Sequence, residues 1–560
     1  MSIKSSSPPN SDKDSLGRAS FTQGFAFGTI SFLVGGTLAV LTGIVTARVY
    51  GIHVVGQYAL AYAPTGAVWY LSTAREQPSL VKALAPLRPR DASVTGLFAA
   101  VFVFSTGLTT VVAILAAVAT WFLFNGPIYH PNLFLPAVAS LAGYVLFTNP
   151  GWNIDTVLTA FRAGRELFWI RLHQAVAFLL LAVLGHLALP GVWGLVVAIV
   201  ASYATSLVHR AIVARHWIRV PVPRAVVRTG FTELPAILRF GLRITPGFLA
   251  SGISNEAGTW TLGAISSVAV VGAYNRAWSM SQRFLEVNFR ITEMLFPTLV
   301  ERHDAEDHDG FDRALVDSIR YVAIGLLLPA AAMGGAAKGV MSLYGPGFER
   351  GSTALAIMLV LPALLTAASM QTHALLAVNR PLTTTVVSLA RAAVTIATGI
   401  ALSLWLGITG MAIAMVLGGM VQFILQYYVT RPHISTPLLQ LWPARRILAL
   451  PVAYSFGFAS AHGLNQYFRE PVGLILGLAG GTLIYGAALL LAGGLDPRDR
   501  ERARKLLGRL RRGSRVVPTR RNPSTASVGS QSSEGAEESA TALLDATSVG
   551  DRSTTEQPSN

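Results

Sequence analysis

The sequence contains no cysteine, which excludes disulfide staples, thiolate nucleophiles and cysteine-held metal sites. Charge is scarce as well: 13% of the 560 residues are charged, against about 25% in soluble domains. Lysine is nearly missing, with 5 Lys beside 39 Arg. The eleven histidines are scattered without the spacing of metal ligands. There is no phosphate-binding glycine loop, no nucleophile elbow and no carboxylate pair of the kind that cleaves glycosides. No stretch between the apolar runs is long enough for a soluble catalytic domain. Catalytic residues, a metal and a bound cofactor are therefore not expected. A net charge of +16 suits nucleic acid, but in so apolar a chain membrane topology accounts for it, and no nucleic-acid partner is expected.

What the chain does have is hydrophobicity: 52% apolar residues and a mean hydropathy of +0.51. Apolar runs of about 20 residues recur, each long enough to cross a hydrocarbon core of roughly 30 Å. The fold expected is an all-α polytopic membrane protein. Fourteen transmembrane spans are read, near 22–47, 55–74, 93–124, 131–150, 168–189, 191–213, 240–262, 270–297, 319–342, 352–377, 384–406, 408–430, 446–464 and 471–493. Grouped, they make an N-lobe at 22–213, a C-lobe at 240–430 and two further helices within 431–493. A basic cytoplasmic linker is expected at 214–239. The tail at 1–21 is polar and lacks a signal peptide's apolar stretch, so the first span reads as an uncleaved anchor. Residues 494–521 form a basic juxtamembrane segment suited to an anionic cytoplasmic leaflet. Residues 522–560, rich in Ser, Thr and Glu, are expected to be disordered.

Orientation follows from positive charge. With the N-terminus inside, the inner segments hold 36 of the 44 Lys and Arg, including Arg210, Arg320 and Arg391. The outer loops hold only Arg48, Arg350 and Arg469. Both termini are thus expected in the cytoplasm.

The chain also repeats itself. VVGQYALAYA at 54–63 returns as VVGAYNRAWS at 270–279, an offset of 216 (270 − 54). GVWGLVVAIV at 191–200 returns as GITGMAIAMV at 407–416, again at 216. FNGPIYHP at 124–131 and LYGPGFER at 343–350 lie between them in order, as do VLTAFRAGR at 157–165 and ALLAVNRPL at 374–382. Six spans per copy is an even number, so both copies enter from the same side and are parallel repeats about an axis along the membrane normal. Two such bundles facing one another are the architecture of a rocking transporter.

Several segments then carry a family likeness: TARVYGIHVVGQYALA at 46–61, VVGAYNRAWSMSQRF at 270–284, MLFPTLVER at 294–302 and SLYGPGFERGSTALAIMLV at 342–360. Over roughly 20–490 the chain resembles the polysaccharide-biosynthesis (Wzx-type) flippases of the multidrug/oligosaccharidyl-lipid/polysaccharide exporter superfamily. The resemblance implies two six-helix lobes, two extra C-terminal helices and translocation of a lipid-linked oligosaccharide across a bacterial cytoplasmic membrane. Its implied partners are a polyprenyl-diphosphate-linked glycan, membrane lipids and glycan-assembly proteins reached through the C-terminal tail. Alternatives of the same fold are a multidrug or cation antiporter and a lipid II flippase.

The eighth span, YNRAWSMSQRFLEVNFRITEMLFP, is the informative one. Arg276, Arg283 and Arg290 recur every seven residues and share a helix face. Glu286 and Glu293 lie within one turn of them, placed for ion pairs. A charge at bilayer depth costs at least ~2.5–3.5 kcal/mol, so the stripe must face a cleft, a partner or water. Guanidinium forks match phosphate oxygens, and the substrate-binding candidates are Arg276, Arg283, Arg290 and, at the outer mouth, Arg48. Glu256, a lone carboxylate within the seventh span, is placed either to pair with Arg276 or to couple transport to an ion. Lys338 has no settled role. Tyr58, Tyr62, Trp69, Tyr70, Trp260, Tyr274 and Trp278 read mainly as packing. A drug antiporter would want carboxylates deep in the first three spans; none is there, and Asp155 is the nearest.

Overall fold

The computed structural model describes residues 21–495, apart from 85–86, 220–222, 379 and 437. These residues belong to one unit, Met1–Asp496. The expected tails and the basic segment after 495 lie outside the described residues. The described residues form helices and loops and no strand, as hydrocarbon requires of a chain whose backbone polar groups must be satisfied within each segment.

The first half comprises α1 (Phe21–Leu71), α2 (Glu76–Leu84), α3 (Ala92–Asn125), α4 (Phe134–Gly143), α5 (Asn149–Ala160), α6 (Gly164–Ala188) and α7 (Val192–Ala214). The second comprises α8 (Arg224–Ile265), α9 (Val268–Asp304), α10 (His308–Gly335), α11 (Ala337–Ser342), α12 (Ser352–Met358), α13 (Leu361–Ala377) and α14 (Pro381–Thr430). The short α15 (Leu438–Leu441) then leads into a hairpin of α16 (Ala444–Tyr467) and α17 (Val472–Leu491). Among the described residues ten helical stretches are long and apolar enough to cross a membrane. Two of these contain a break, α1 at Gly51 and α14 at Gly407. The long helices α8 and α9, which carry charged residues that matter below, are not among the ten. On α3, Val111, Ile114, Leu115 and Phe122 are all more than half exposed, an apolar surface that lipid would cover. Trp121, Tyr129, Trp405 and Tyr467 are exposed near helix ends, where aromatic residues favour the interface.

Two boundaries differ from the sequence reading. The span read as 131–150 continues to Ala160, through a π-helical turn at Tyr144–Thr148 that joins α4 to α5. Residues 224–239, read as part of a linker, form the leading part of α8. Charged residues punctuate this stretch like a loop, yet it packs: a Cβ on Gly230 would lie 1.9 Å from the Gly96 carbonyl oxygen, and one on Gly241 would lie 2.0 Å from that of Ala74. Backbones that close are held by contacts the hydropathy pattern does not register. Pro64, Pro246 and Pro329 sit inside helices, whereas Pro362 opens α13.

The repeat is visible in the backbone. Gly191, which precedes α7, has φ 58° and ψ −134°; Gly407, 216 residues on, has φ 54° and ψ −129°. An L side chain rarely adopts that conformation, so glycine is required at both hairpin turns. The pair from the other repeated phrase is reciprocal. A Cβ on Gly56 would lie 2.0 Å from the Val268 carbonyl oxygen, and one on Gly272 would lie 2.4 Å from that of Ile52. Since 268 − 216 is 52 and 272 − 216 is 56, each glycine rests on the other copy's equivalent of the residue four positions before itself. This is the signature of a two-fold contact between like surfaces. Around it the largest apolar core gathers Val55, Leu60, Val271, Tyr274, Met341 and Phe348.

These geometries make distinct expectations. Gly56→Val and Gly272→Val should each destabilise by about 1–3 kcal/mol through overpacking, and the double variant by less than the sum, because one contact is lost twice. Gly191→Ala and Gly407→Ala should each cost about 1–2 kcal/mol and add, being separate turns. Denaturant unfolding in mixed micelles measures these variants and the Gly191→Ala/Gly407→Ala double.

Candidate functional site

The charged helix α9 begins at the reciprocal crossing, and Arg276 lies eight residues into it, about 12 Å along the axis. Its guanidinium faces α1 and the 343–347 turn: a Cβ built on Gly43 would lie 3.5 Å from both Arg276 Nη1 and the Tyr344 ring. Arg276 is half-buried, and its Nε is buried with no hydrogen-bond partner. Among the described residues it forms no ion pair with a carboxylate. Among those residues Arg276 is thus a cation without a counter-ion, between α1 of the first half and α9 of the second.

Two turns along the same face, Arg283 Nη1 donates to Glu286 Oε1 at 2.6 Å, with both side chains about two-fifths exposed. This is the helical neighbour pairing that the sequence spacing suggested. It leaves Arg283 with donors still free for an anion, since a guanidinium carries five. The side chains of Arg290 and Glu293 lie outside the described residues.

Glu256 does not meet Arg276, although α8 and α9 are joined by a short turn and the two residues sit at similar depth. Glu256 leans instead toward α1, where a Cβ on Gly66 would lie 2.7 Å from its Oε1. Arg48 meets the backbone of the same 343–347 turn. Its Nε donates to the Leu343 carbonyl at 2.7 Å, tying the end of the first half of α1 to the 343–347 turn. Lys338 is exposed on α11.

Two buried arginines were assigned to loops by the sequence reading and belong inside the bundle. Arg391, 4% exposed, donates through Nη2 to Asn255 Oδ1 at 3.0 Å, and Asn255 Nδ2 donates to the Tyr70 hydroxyl at 3.2 Å. That chain ties α14, α8 and α1 together. The available signal was position: Arg391 lies within the apolar run 384–406 itself. Arg210 donates to both oxygens of Asp155, at 2.8 and 3.1 Å, and further to Ser206 and Gln174. Asp155, the carboxylate nearest to a cation-antiporter role, is therefore neutralised by an ion pair. A third, Arg320, is 4% exposed on α10 and pairs with Asp317 at 3.1 Å.

The aromatic residues mostly pack. Tyr274 and Trp278 are buried in the core, and Tyr58 stacks on Tyr62 at 5.6 Å. Trp69 contacts Tyr70, Trp152 and Phe248, with the Arg75 guanidinium 4.3 Å above the Phe248 ring. No group of three or more His, Asp or Glu among the described residues is placed to hold a metal ion.

The Asp155–Arg210 pair carries its own expectation. Asp155→Asn strands a buried guanidinium and should cost about 3–5 kcal/mol, whereas Asp155→Asn with Arg210→Gln should recover most of it. Thermal unfolding of the three variants measures this.

Comparison with known proteins places the geometry in context. No curated protein sequence matches the chain. Among solved structures it is similar to one described as the lipid II flippase MurJ in an inward closed conformation. The TM-score is 0.63 at 11% identity, covering 82% of this chain and 97% of that one. It is also similar to an inward-facing multidrug resistance MATE family transporter of the MOP superfamily, with TM-score 0.60, 16% identity and coverage of 72% and 94%. A third is a MOP superfamily transporter from Pyrococcus furiosus, with TM-score 0.54, 15% identity and coverage of 76% and 99%. At these identities the likeness is one of fold: an all-α, multi-pass membrane architecture. The family model described as "Polysaccharide biosynthesis protein" matches residues 21–303, just over half of the chain. The chain belongs to that polysaccharide biosynthesis family.

Proposed function

We propose that the chain is a flippase that carries a polyprenyl-diphosphate-linked oligosaccharide, or a related glycolipid precursor, across the bacterial cytoplasmic membrane by alternating access. The observation that carries this reading is Arg276, a cation without a counter-ion, held between α1 and α9 where the two repeats meet. An unpaired charge at that depth costs at least ~2.5–3.5 kcal/mol, a cost that an anionic substrate relieves. A diphosphate presents oxygens in the geometry a guanidinium fork accepts, and Arg283 lies about 10 Å further along the same face to take a second contact.

In this reading α1 and α14 each cross twice, breaking at Gly51 and Gly407, and α8 and α9 cross once despite their charges. The crossings then number fourteen, with both termini in the cytoplasm. The lobes are 22–213 and 240–430, and they rock about the cleft while the prenyl chain stays in lipid. No step is catalytic. Energy comes from an ion gradient or the membrane potential, with Glu256 as the coupling carboxylate. Glycan-assembly proteins would be engaged through the C-terminal tail. A cation antiporter fits less well, because Asp155 is occupied by Arg210.

Flipping of a fluorescent polyprenyl-diphosphate oligosaccharide in proteoliposomes tests this. Arg276→Ala should lower the rate by roughly tenfold or more, as expected for the loss of a charge-assisted contact worth about 1.5–3 kcal/mol. Arg276→Lys should retain part of the rate. Undiminished flipping by a folded Arg276→Ala protein would overturn the assignment.

A further inference from the structure

Two histidines meet on the hairpin of α6 and α7. His173 stands in the first half of α6 and His209 near the end of α7, so the turn at Gly191 brings together residues 36 apart in the chain. Their Nδ1 atoms face one another at 3.3 Å, with the ring centroids 5.3 Å apart and the rings tilted by 53°. Both side chains are half-buried, so the pair is reachable from outside the bundle. The exposed Arg171 and Arg215 lie close to them in sequence. The pair therefore sits toward the charged end of the hairpin, away from its apolar turn.

Two imidazoles at that range need something between their nitrogens. Protonating both sets like charges side by side. Placing each proton on Nε2 sets two lone pairs face to face. A hydrogen bond between the rings is a third arrangement, but 3.3 Å lies beyond the usual range of about 2.7–3.2 Å for an N–H donor. A metal ion is the fourth. Two nitrogens held about 2.0–2.1 Å from a zinc ion at a tetrahedral angle lie about 3.3–3.4 Å from each other, and that is the spacing found. The neighbouring polar groups are already engaged. Arg210, beside His209, has its charge met by Asp155, and Gln174, beside His173, accepts from the same arginine.

The second repeat supplies a comparison within the molecule. The positions 216 residues on from His173 and His209 are Leu389 and Leu425, both exposed. The same hairpin thus folds with two apolar side chains at these places, and packing alone does not call for histidine there.

We propose that His173 and His209 form a binding site for a late first-row divalent metal ion of the Zn²⁺ type, each giving its Nδ1. Imidazole nitrogen suits zinc, copper and nickel, whereas magnesium and calcium prefer oxygen. Two protein ligands leave the remaining tetrahedral positions to water, an open centre. The ion fastens α6 to α7 at the end remote from Gly191, where no backbone connection joins them. Since Arg210 already ties α7 to Asp155 of α5, the ion stiffens the first repeat at a point where the second has no counterpart. The inference does not rest on the substrate proposed above, since it uses neither Arg276 nor Arg283.

The test is Zn²⁺ binding by the full chain, purified without a histidine tag and held in lipid nanodiscs, with Co²⁺ as the spectroscopic stand-in. Wild type should give the visible bands of four-coordinate Co²⁺, bleached by added Zn²⁺. X-ray absorption of the Zn²⁺ form should show two imidazoles at about 2.0–2.1 Å. His173→Gln and His209→Gln should each weaken Zn²⁺ binding by roughly tenfold or more, at least what loss of a group that merely orients a ligand costs. Zn²⁺ should raise the thermal midpoint of wild type and of neither variant. The paired change His173→Leu with His209→Leu, which copies the second repeat, should keep the metal-free midpoint and lose the site. His462→Gln, on α16, should bind as wild type does. Wild-type affinity in the paired variant would overturn the proposal, and so would fewer than two imidazoles around the wild-type ion. Because the readouts are metal binding and unfolding, their outcome is separate from the flipping assay.

Discussion

The close approach of α1 and α9 backbones is the constraint on which the bundle is arranged. Gly56 rests on the Val268 carbonyl and Gly272 on that of Ile52, so two helices from different repeats come nearer than any side chain would permit. In lipid there is little hydrophobic drive between helices, and association depends on packing and on hydrogen bonds. The missing Cβ atoms supply the packing, and the core around Leu60, Tyr274 and Phe348 extends it. The Arg276 group is positioned from this point. Arg276 lies four residues past Gly272 on α9, and Arg48 fastens the adjacent turn to α1.

Charge within the bundle is organised by the same scarcity of compensation. Two arginines are neutralised, Arg210 by Asp155 and Arg320 by Asp317, whereas Arg391 donates to the neutral Asn255 and keeps a buried Nε without a hydrogen-bond partner. Arg283 is half-settled by Glu286 at a partly exposed position, where an ion pair contributes little. Arg276 and Glu256 remain, a cation and an anion at similar depth on neighbouring helices, pointing to different surroundings. Among the described residues they form no ion pair with one another.

Much of the fold was legible in the sequence because its main signals are local. Apolar length marks spans, and the phrases around Gly56 and Gly272, and around Gly191 and Gly407, announced a repeat whose backbone angles agree closely. The leading part of α8 was not legible. Its arginines read as a loop, while its helical packing depends on Gly230 finding Gly96, a contact between residues far apart in the chain. The spacing of Arg283 and Glu286 revealed their pairing, since both lie on one helix. Partners on different helices left no such trace. Counting basic residues near span ends placed Arg210 and Arg391 with the cytoplasmic loops, although each reaches back into the bundle. The Glu256–Arg276 pair failed because Gly66, on a third helix, leaves the carboxylate a seat that neighbours in sequence do not reveal.

The reciprocal crossing also has a consequence for ancestry. A contact in which each copy presents the same patch to the other does not require the copies to be joined. Two separate six-helix chains bearing that glycine would make it twice over, as a symmetric homodimer does. Fusion into one chain then adds only proximity, and it frees the two patches to diverge. That divergence is recorded beside the crossing itself, where the position four residues past the glycine is Leu60 in one copy and Arg276 in the other.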